Sequence, residues 1–201
     1  MTDAVWVVTR VKKNDKGEYK LAKLDIRNNR MQIEQKAHSG AKVWMGSPLA
    51  VDKRGHPAYV NSEKAVHWRR NGKWEHPMPE PGCAFTVAFG GNGSFYARDC
   101  KYSYVHNLRR SKKWLVFPTS KQLDYAGLRH RNKKVIASTK GLQKFIDIAA
   151  DSRGTLWGVT MSNTVIYWNK GKKKWYKAGF PNYAVSVAAG PSGHVYVLGY
   201  P

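Results

Sequence analysis

The feature that most constrains this chain is a short hairpin that recurs at near-constant spacing. Its copies are residues 49–60 (LAVDKRGHPAYV), 86–97 (TVAFGGNGSFYA), 148–159 (IAADSRGTLWGV) and 187–198 (VAAGPSGHVYVL). Each runs from small or apolar residues through a glycine-containing turn to an aromatic flanked by apolar residues, the sequence form of a β-hairpin. Gly55 and Gly93 lie 38 residues apart, and Gly154 and Gly193 lie 39 apart, near the length of a four-stranded blade. A sheet this short buries no core alone, so the copies must pack on one another. Radial repetition, which leaves only short protected edges, points to a β-propeller.

The most complete unit is 145–179, which parses as strands at 147–150, 155–160, 164–169 and 175–178. Its second hairpin also recurs, as 65–75 (AVHWRRNGKWE), 104–115 (YVHNLRRSKKWL) and 165–176 (VIYWNKGKKKWY), with Trp74, Trp114 and Trp175 opening the fourth strands. Residues 22–35 have the same shape, with Met31 in place of the tryptophan, and follow 5–10 (VWVVTR), which is similar to 156–160 (LWGVT). Gly93 and Gly154 are 61 residues apart, too far for one blade and too close for two. An abbreviated blade at 123–144, turning at Asn132, accounts for the gap; a loop insertion is the alternative.

The expectation is therefore an all-β fold, a single β-propeller domain over 1–201. It has about five short four-stranded blades, one abbreviated, with the ring closed by pairing of N- and C-terminal strands. The blade-like units are 1–46, 47–83, 84–120, 121–145 and 146–183, with 184–201 closing the ring. Residues 5–10 and 195–200 compete for one place, so six is the other count.

Content of 8 Trp and 11 Tyr supplies core material, and no apolar stretch reaches the roughly 18 residues of a membrane span. The start, MTDAVWVVTR, lacks a basic and then long apolar secretory signal, so a cytoplasmic or unconventionally secreted protein is expected. Two cysteines, Cys83 and Cys100, make neither a disulfide framework nor a cysteine-rich zinc site. They flank one hairpin closely enough to bond, but free thiols are the expectation for an intracellular chain.

Charge is the strongest compositional signal: 35 Lys and Arg against 13 Asp and Glu, a net +22. An excess of this size implies an anionic partner such as nucleic acid or a phosphorylated or sulfated glycan. The cations cluster in the second-hairpin turns: Arg27 and Arg30; Arg69, Arg70 and Lys73; Arg109, Arg110, Lys112 and Lys113; Lys170, Lys172, Lys173 and Lys174. In a propeller equivalent turns share a face, so the repeat gathers them into a positive arc that would bind polyanions by counterion release with little sequence preference. Lysines that blunt strand edges explain some of them but not the scarcity of acids. The first-hairpin turn of the short blade, with Arg129, Arg131, Lys133 and Lys134, is expected on the opposite face or nearer the axis.

Trp6, Tyr59, Tyr96, Trp157 and Tyr196 fall at equivalent second-strand positions. Rings at such positions commonly pack blade on blade, yet grooves between blades could also stack sugars. Trp44, Trp68, Trp157, Tyr96 and Tyr59 are the glycan-binding candidates. No catalytic, cofactor or metal motif stands out, and no enzyme is expected. The 90–93 loop (GGNG) lacks the Gly-Lys-Ser/Thr of a phosphate loop, and the histidines show no metal-ligand spacing. His67 and His106 share one repeat position, which suggests a structural role.

The unit at 146–179 resembles the tectonin repeat. The matching residues are Ile148-Ala149-Ala150 in the first strand, 151–154 (DSRG) in the turn, 155–159 (TLWGV) in the second strand, then Tyr167-Trp168 and Trp175-Tyr176. The likeness is fair at 187–198 and 49–75, poor at 123–144, and covers about two thirds of the chain. It implies a tachylectin-like lectin of innate defence that recognises lipopolysaccharide or modified surface glycans. The excess charge and irregular blade depart from that pattern and suit one extended partner, such as nucleic acid within a ribonucleoprotein or virion.

Overall fold

The glycines that set the period adopt the left-handed backbone their hairpins require, with φ of 82° at Gly55, 81° at Gly93, 72° at Gly154 and 84° at Gly193. A residue with a Cβ rarely occupies that region. In two of these turns an aspartate completes the geometry. Asp52 Oδ1 accepts the amides of Arg54 and His56 at 2.8 and 2.9 Å. Asp151 Oδ1 accepts those of Arg153 and Thr155 at 2.9 and 2.8 Å. The computed structural model describes residues 4–13, 16–33, 43, 48–77, 79, 82–108, 113–119, 129–131, 133, 142–180, 183–190 and 192–200.

The described strands form five antiparallel sheets. Blade 1 is β1 (Ala4–Lys13), β2 (Lys16–Asp25) and β3 (Arg30–Ile33). Blade 2 is β4 (Leu49–Val51), β5 (Pro57–Val60), β6 (Val66–Arg70) and β7 (Lys73–Glu75). Blade 3 is β8 (Ala84–Phe89), β9 (Phe95–Asp99), β10 (Val105–Leu108) and β11 (Trp114–Val116). Blade 4 is β12 (Phe145–Ala150), β13 (Leu156–Thr160), β14 (Val165–Asn169) and β15 (Lys174–Lys177). Blade 5 is the pair β16 (Ala184–Ala189) and β17 (Val195–Gly199). The all-β propeller expectation holds.

The first strands are innermost, β4 packing on β8, β8 on β12 and β12 on β16. One backbone hydrogen bond recurs at these junctions. The first amide of each inner strand reaches back to the preceding blade: Ala84 to Lys64 O at 2.8 Å, Phe145 to Ser103 O at 2.9 Å and Ala184 to Asn163 O at 3.1 Å. The accepting residues all have positive φ, 64°, 60° and 59°, which aims each carbonyl at the next blade. Apolar seams fill the space between blades: Trp6, Leu21 and Tyr59 between blades 1 and 2, and Val60, Phe95 and Trp114 between 2 and 3. Tyr96, Phe145 and Leu156 lie between 3 and 4, and Val159, Val165 and Val187 between 4 and 5.

Four expectations need correction. No blade stands between 84–120 and 146–183, because Phe145 bonds directly to Ser103 and the amide of Gly91 to Asp151 O at 3.0 Å. The 61-residue glycine spacing thus reflects an insertion. Most of 121–145 lies outside the described residues, and Arg129 and Lys133 have helical rather than extended backbone; the abbreviated sheet is instead blade 5. Among the described strands β1 and β17 lie in separate sheets.

The cysteines are not free: Cys83 and Cys100 form a disulfide, with Cα atoms 5.6 Å apart, across the β8–β9 pair. The aromatic register also differs at one copy. Ala58, Tyr96, Trp157 and Tyr196 occupy the same ladder position, opposite Ala50, Ala88, Ala149 and Ala188. Tyr59 is one residue further on, so it faces back toward blade 1 while Tyr96 and Trp157 face forward. Tyr196, with no sheet ahead of it among the described residues, is 66% exposed.

Candidate functional site

Acidic side chains are largely committed to the framework. Asp99 is fully buried. Its Oδ1 accepts the amides of Lys101 and Tyr102 at 2.9 and 2.6 Å, and Oδ2 accepts that of Tyr104 at 3.1 Å and meets His106 Nε2 at 3.2 Å. Asp25 takes the amides of Arg27 and Asn28 and the Asn28 side chain, hydrogen bonds that hold its carboxyl below the usual value. With Asp52 and Asp151 in the first-hairpin turns, these groups stabilise backbone turns.

The cations point outward. Arg70 and Lys73 in the β6–β7 turn, Lys113 before β11, and Lys170, Lys172, Lys173 and Lys174 in the β14–β15 turn are exposed, while Arg69 is half-buried. Arg109, Arg110 and Lys112 lie outside the described residues. In an up-and-down sheet the first and third turns emerge at the same end. The structure shows this directly, since Lys170 Nζ donates to Arg153 O in the first-hairpin turn at 2.9 Å. First-hairpin turns of neighbouring blades also meet, through the Gly91–Asp151 bond, and a side chain at Gly91 would collide with the Ser152 backbone. First-hairpin turns therefore belong to the basic face rather than opposing it, adding Lys53, Arg54 and Arg153.

The four described aromatic candidates are not brought together, because each lies in a different seam. Tyr59 is fully buried between blades 1 and 2, where it stacks on His67 at 5.0 Å. Tyr96, at 4% exposure, packs edge-on to Phe117 at 5.4 Å. Neither offers a ring face to a sugar. Trp68 is half-buried against Phe89 and Phe95 at 5.3 and 5.1 Å, with the Arg70 guanidinium 5.2 Å from its ring. Trp157 lies 4.9 Å from Tyr167, and its Nε1 donates to Asp151 Oδ2 at 3.3 Å. Trp44 lies outside the described residues.

A second feature was not anticipated. The inner strands of blades 3, 4 and 5 each carry a bulge near their start, between Ala84 and Thr86, Phe145 and Asp147, and Ala184 and Ser186. A bulge inserts an unpaired residue and re-aims its side chain. The inserted residues, Phe85, Ile146 and Val185, all line one axial cavity of about 470 Å³. Because inner strands start at the end opposite the first-hairpin turns, this cavity opens on the face away from the basic turns.

Arg98 from β9 also lines the cavity, standing where the repeat has Val60, Val159 and Leu198. Its Nη1 donates to Phe145 O at 3.1 Å and Ser103 Oγ at 3.4 Å, and its guanidinium lies 4.6 Å from the Phe85 ring. Burial lowers the Arg98 pKa, opposed by the charges of Asp147 and Asp99. Asp147 is occupied by donors: Ile148 N at 2.9 Å, Ser186 Oγ at 2.6 Å and Val187 N at 3.1 Å. Among the described residues no cluster of three His, Cys, Asp or Glu could hold a metal ion, and no helix is long and apolar enough to cross a membrane.

No protein-family model and no curated protein matches the chain. Solved structures do. A streptogramin B lyase matches with a TM-score of 0.56 at 15% identity over 98% of this chain. A catalytically inactive virginiamycin B lyase from Staphylococcus aureus with quinupristin matches at 0.56 and 10% over 94%. A protein of unknown function from Bacteroides thetaiotaomicron matches at 0.62 and 11% over 97%. The chain spans 62% of the length of each lyase and 53% of the Bacteroides protein. At such identities the likeness establishes the propeller architecture alone. It also overturns the expectation that the chain is not an enzyme, because lyases share this architecture and a missing catalytic motif excludes nothing.

Proposed function

We propose that the protein binds a polyanion across its basic face, in first place an anionic or modified surface glycan such as lipopolysaccharide. The carrying observation is the density of exposed cations in the first and third turns, Lys53, Arg54, Arg70, Lys73, Arg153, Lys170, Lys172, Lys173 and Lys174, beside which Asp52 and Asp151 are bonded to backbone amides. The tectonin-like motifs in blade 4 favour this lectin-type reading. A second reading, contact with a nucleic-acid backbone in an assembly, is favoured by the burial of Tyr59 and Tyr96, which removes stacking surfaces and leaves charge as the means of recognition. The Cys83–Cys100 bond supports an oxidising location rather than the cytoplasm.

The test is charge reversal at Lys170, Lys172, Lys173 and Lys174, all exposed in one turn. Each lost phosphate contact should reduce the log–log salt slope of binding by roughly 0.7–0.9, so the variant should lose up to about 3 in slope. Thermal stability should hold, since these side chains contribute little to the seams. Unchanged lipopolysaccharide and nucleic-acid binding at matched salt would remove this turn from the site.

A further inference from the structure

The axial cavity lies on the face away from the basic turns. Its lining is mixed: the three repeated bulges contribute the apolar Phe85, Ile146 and Val185, and Thr86, Asp147 and Ser186 beside them are polar; Phe85 remains 37% exposed although its neighbours in β8 are mostly buried. Among the described lining residues its cation is Arg98, and Lys64 Nζ lies 4.7 Å from the Phe85 ring as well. Nη1 is held by Phe145 O and Ser103 Oγ, which fixes the guanidinium against the Phe85 ring. Nε is buried and has no hydrogen-bond partner among the described residues. Asp147, which also lines the cavity and whose charge acts on Arg98, makes its hydrogen bonds to Ser186, Val187 and Ile148 rather than to the guanidinium. A desolvated guanidinium with an unused N–H is incomplete without an acceptor, and its planar fork matches a carboxylate.

We propose that this cavity binds a small organic carboxylate with an apolar body, the carboxylate on Arg98 and the body against Phe85 and the bulge residues. The volume is within the range of small-molecule sites. The bulges recur at the same point of blades 3, 4 and 5, so each of these inner strands contributes its bulge residue to the cavity lining.

The probe is benzoate, compared with the neutral benzamide of similar shape, by isothermal titration and by chemical-shift perturbation of the whole chain. Benzoate should bind saturably and benzamide at least tenfold more weakly. Arg98→Gln should weaken benzoate by at least tenfold, equivalent to about 1.4 kcal/mol. Because Arg98 also ties β9 to β12, Phe85→Ala provides the second arm: it leaves the cation in place and should weaken benzoate severalfold while unfolding at the wild-type temperature. The four-lysine reversal on the opposite face should leave benzoate affinity unchanged. Equal affinity for benzoate and benzamide, no saturable benzoate binding, or loss of binding in the lysine variant would overturn the assignment.

Discussion

Asp151 provides the sharpest test of how this framework uses its acids. Replacing it with alanine removes the acceptor for the amides of Arg153 and Thr155 and for the Trp157 indole. Arg153 is exposed and its amide can turn to water, but the Thr155 amide and the indole N–H are half-buried. Hydrogen bonds to a charged group contribute about 1.5–3 kcal/mol each and unsatisfied donors about 1–3. Allowing for water at Arg153, Asp151→Ala should cost roughly 3 kcal/mol. For a chain of this length that lowers Tm by about 6–12 °C. Asp151→Asn keeps an oxygen for both amides but faces an NH₂ toward the indole, so it should cost about 1 kcal/mol. Urea unfolding of the three proteins measures both values. Two variants within 0.5 kcal/mol of wild type would refute the reasoning, as would asparagine being as damaging as alanine.

Reduction of Cys83–Cys100, which closes a separation of 17 residues, should remove about 3 kcal/mol; calorimetry with and without reductant checks this, and an unchanged Tm would mean the bond does not form in solution. Burial pushes the Tyr59 hydroxyl up to about 12 from 10. Its protonated form is therefore favoured by folding, so this contribution is complete below pH 10 and is lost as pH rises toward 12. It amounts to roughly 2–3 kcal/mol across that window. Tyr59→Phe should flatten that share of the alkaline decline and be near neutral at pH 7, as the hydroxyl has no partner among the described residues; an identical alkaline profile in the variant would contradict this.

The glycine period made the fold legible because positive φ at Gly55, Gly93, Gly154 and Gly193 is a local requirement that the residue type itself records. Second-hairpin turns record this requirement less evenly, at Asn71 and Gly72 in one copy but at Asn29 and Lys173 in others; their grouping was legible from the recurring tryptophans and cations. Tyr59 was misplaced by one position because a tyrosine after Pro57-Ala58 satisfies the aromatic pattern equally well, and a single-residue slip turns the side chain to the other face. The insertion after blade 3 was read as a blade because residues such as Tyr125, Leu128, Val135 and Ile136 imitate a hairpin. The Phe145–Ser103 and Gly91–Asp151 contacts, which make blades 3 and 4 direct neighbours, exclude it.

The axial cavity was not legible at all. A bulge residue such as Phe85 reads as one more strand position, and nothing local distinguishes it from Thr86 or Val87. One signal was available: Arg98 interrupts a position that is apolar in the other copies. The disulfide was geometrically readable from the flanking of one hairpin, but assumed compartment outweighed it.

The most direct test of the central claim is a salt series of wild-type binding to labelled lipopolysaccharide, to single- and double-stranded nucleic acid, and to a glycan array. A basic face that recognises polyanions through phosphate contacts predicts saturable binding at low salt, with affinity falling steeply and log-linearly as salt rises and neutral glycans silent. Absence of polyanion binding at low salt, or binding to neutral glycans that is indifferent to salt, would contradict it.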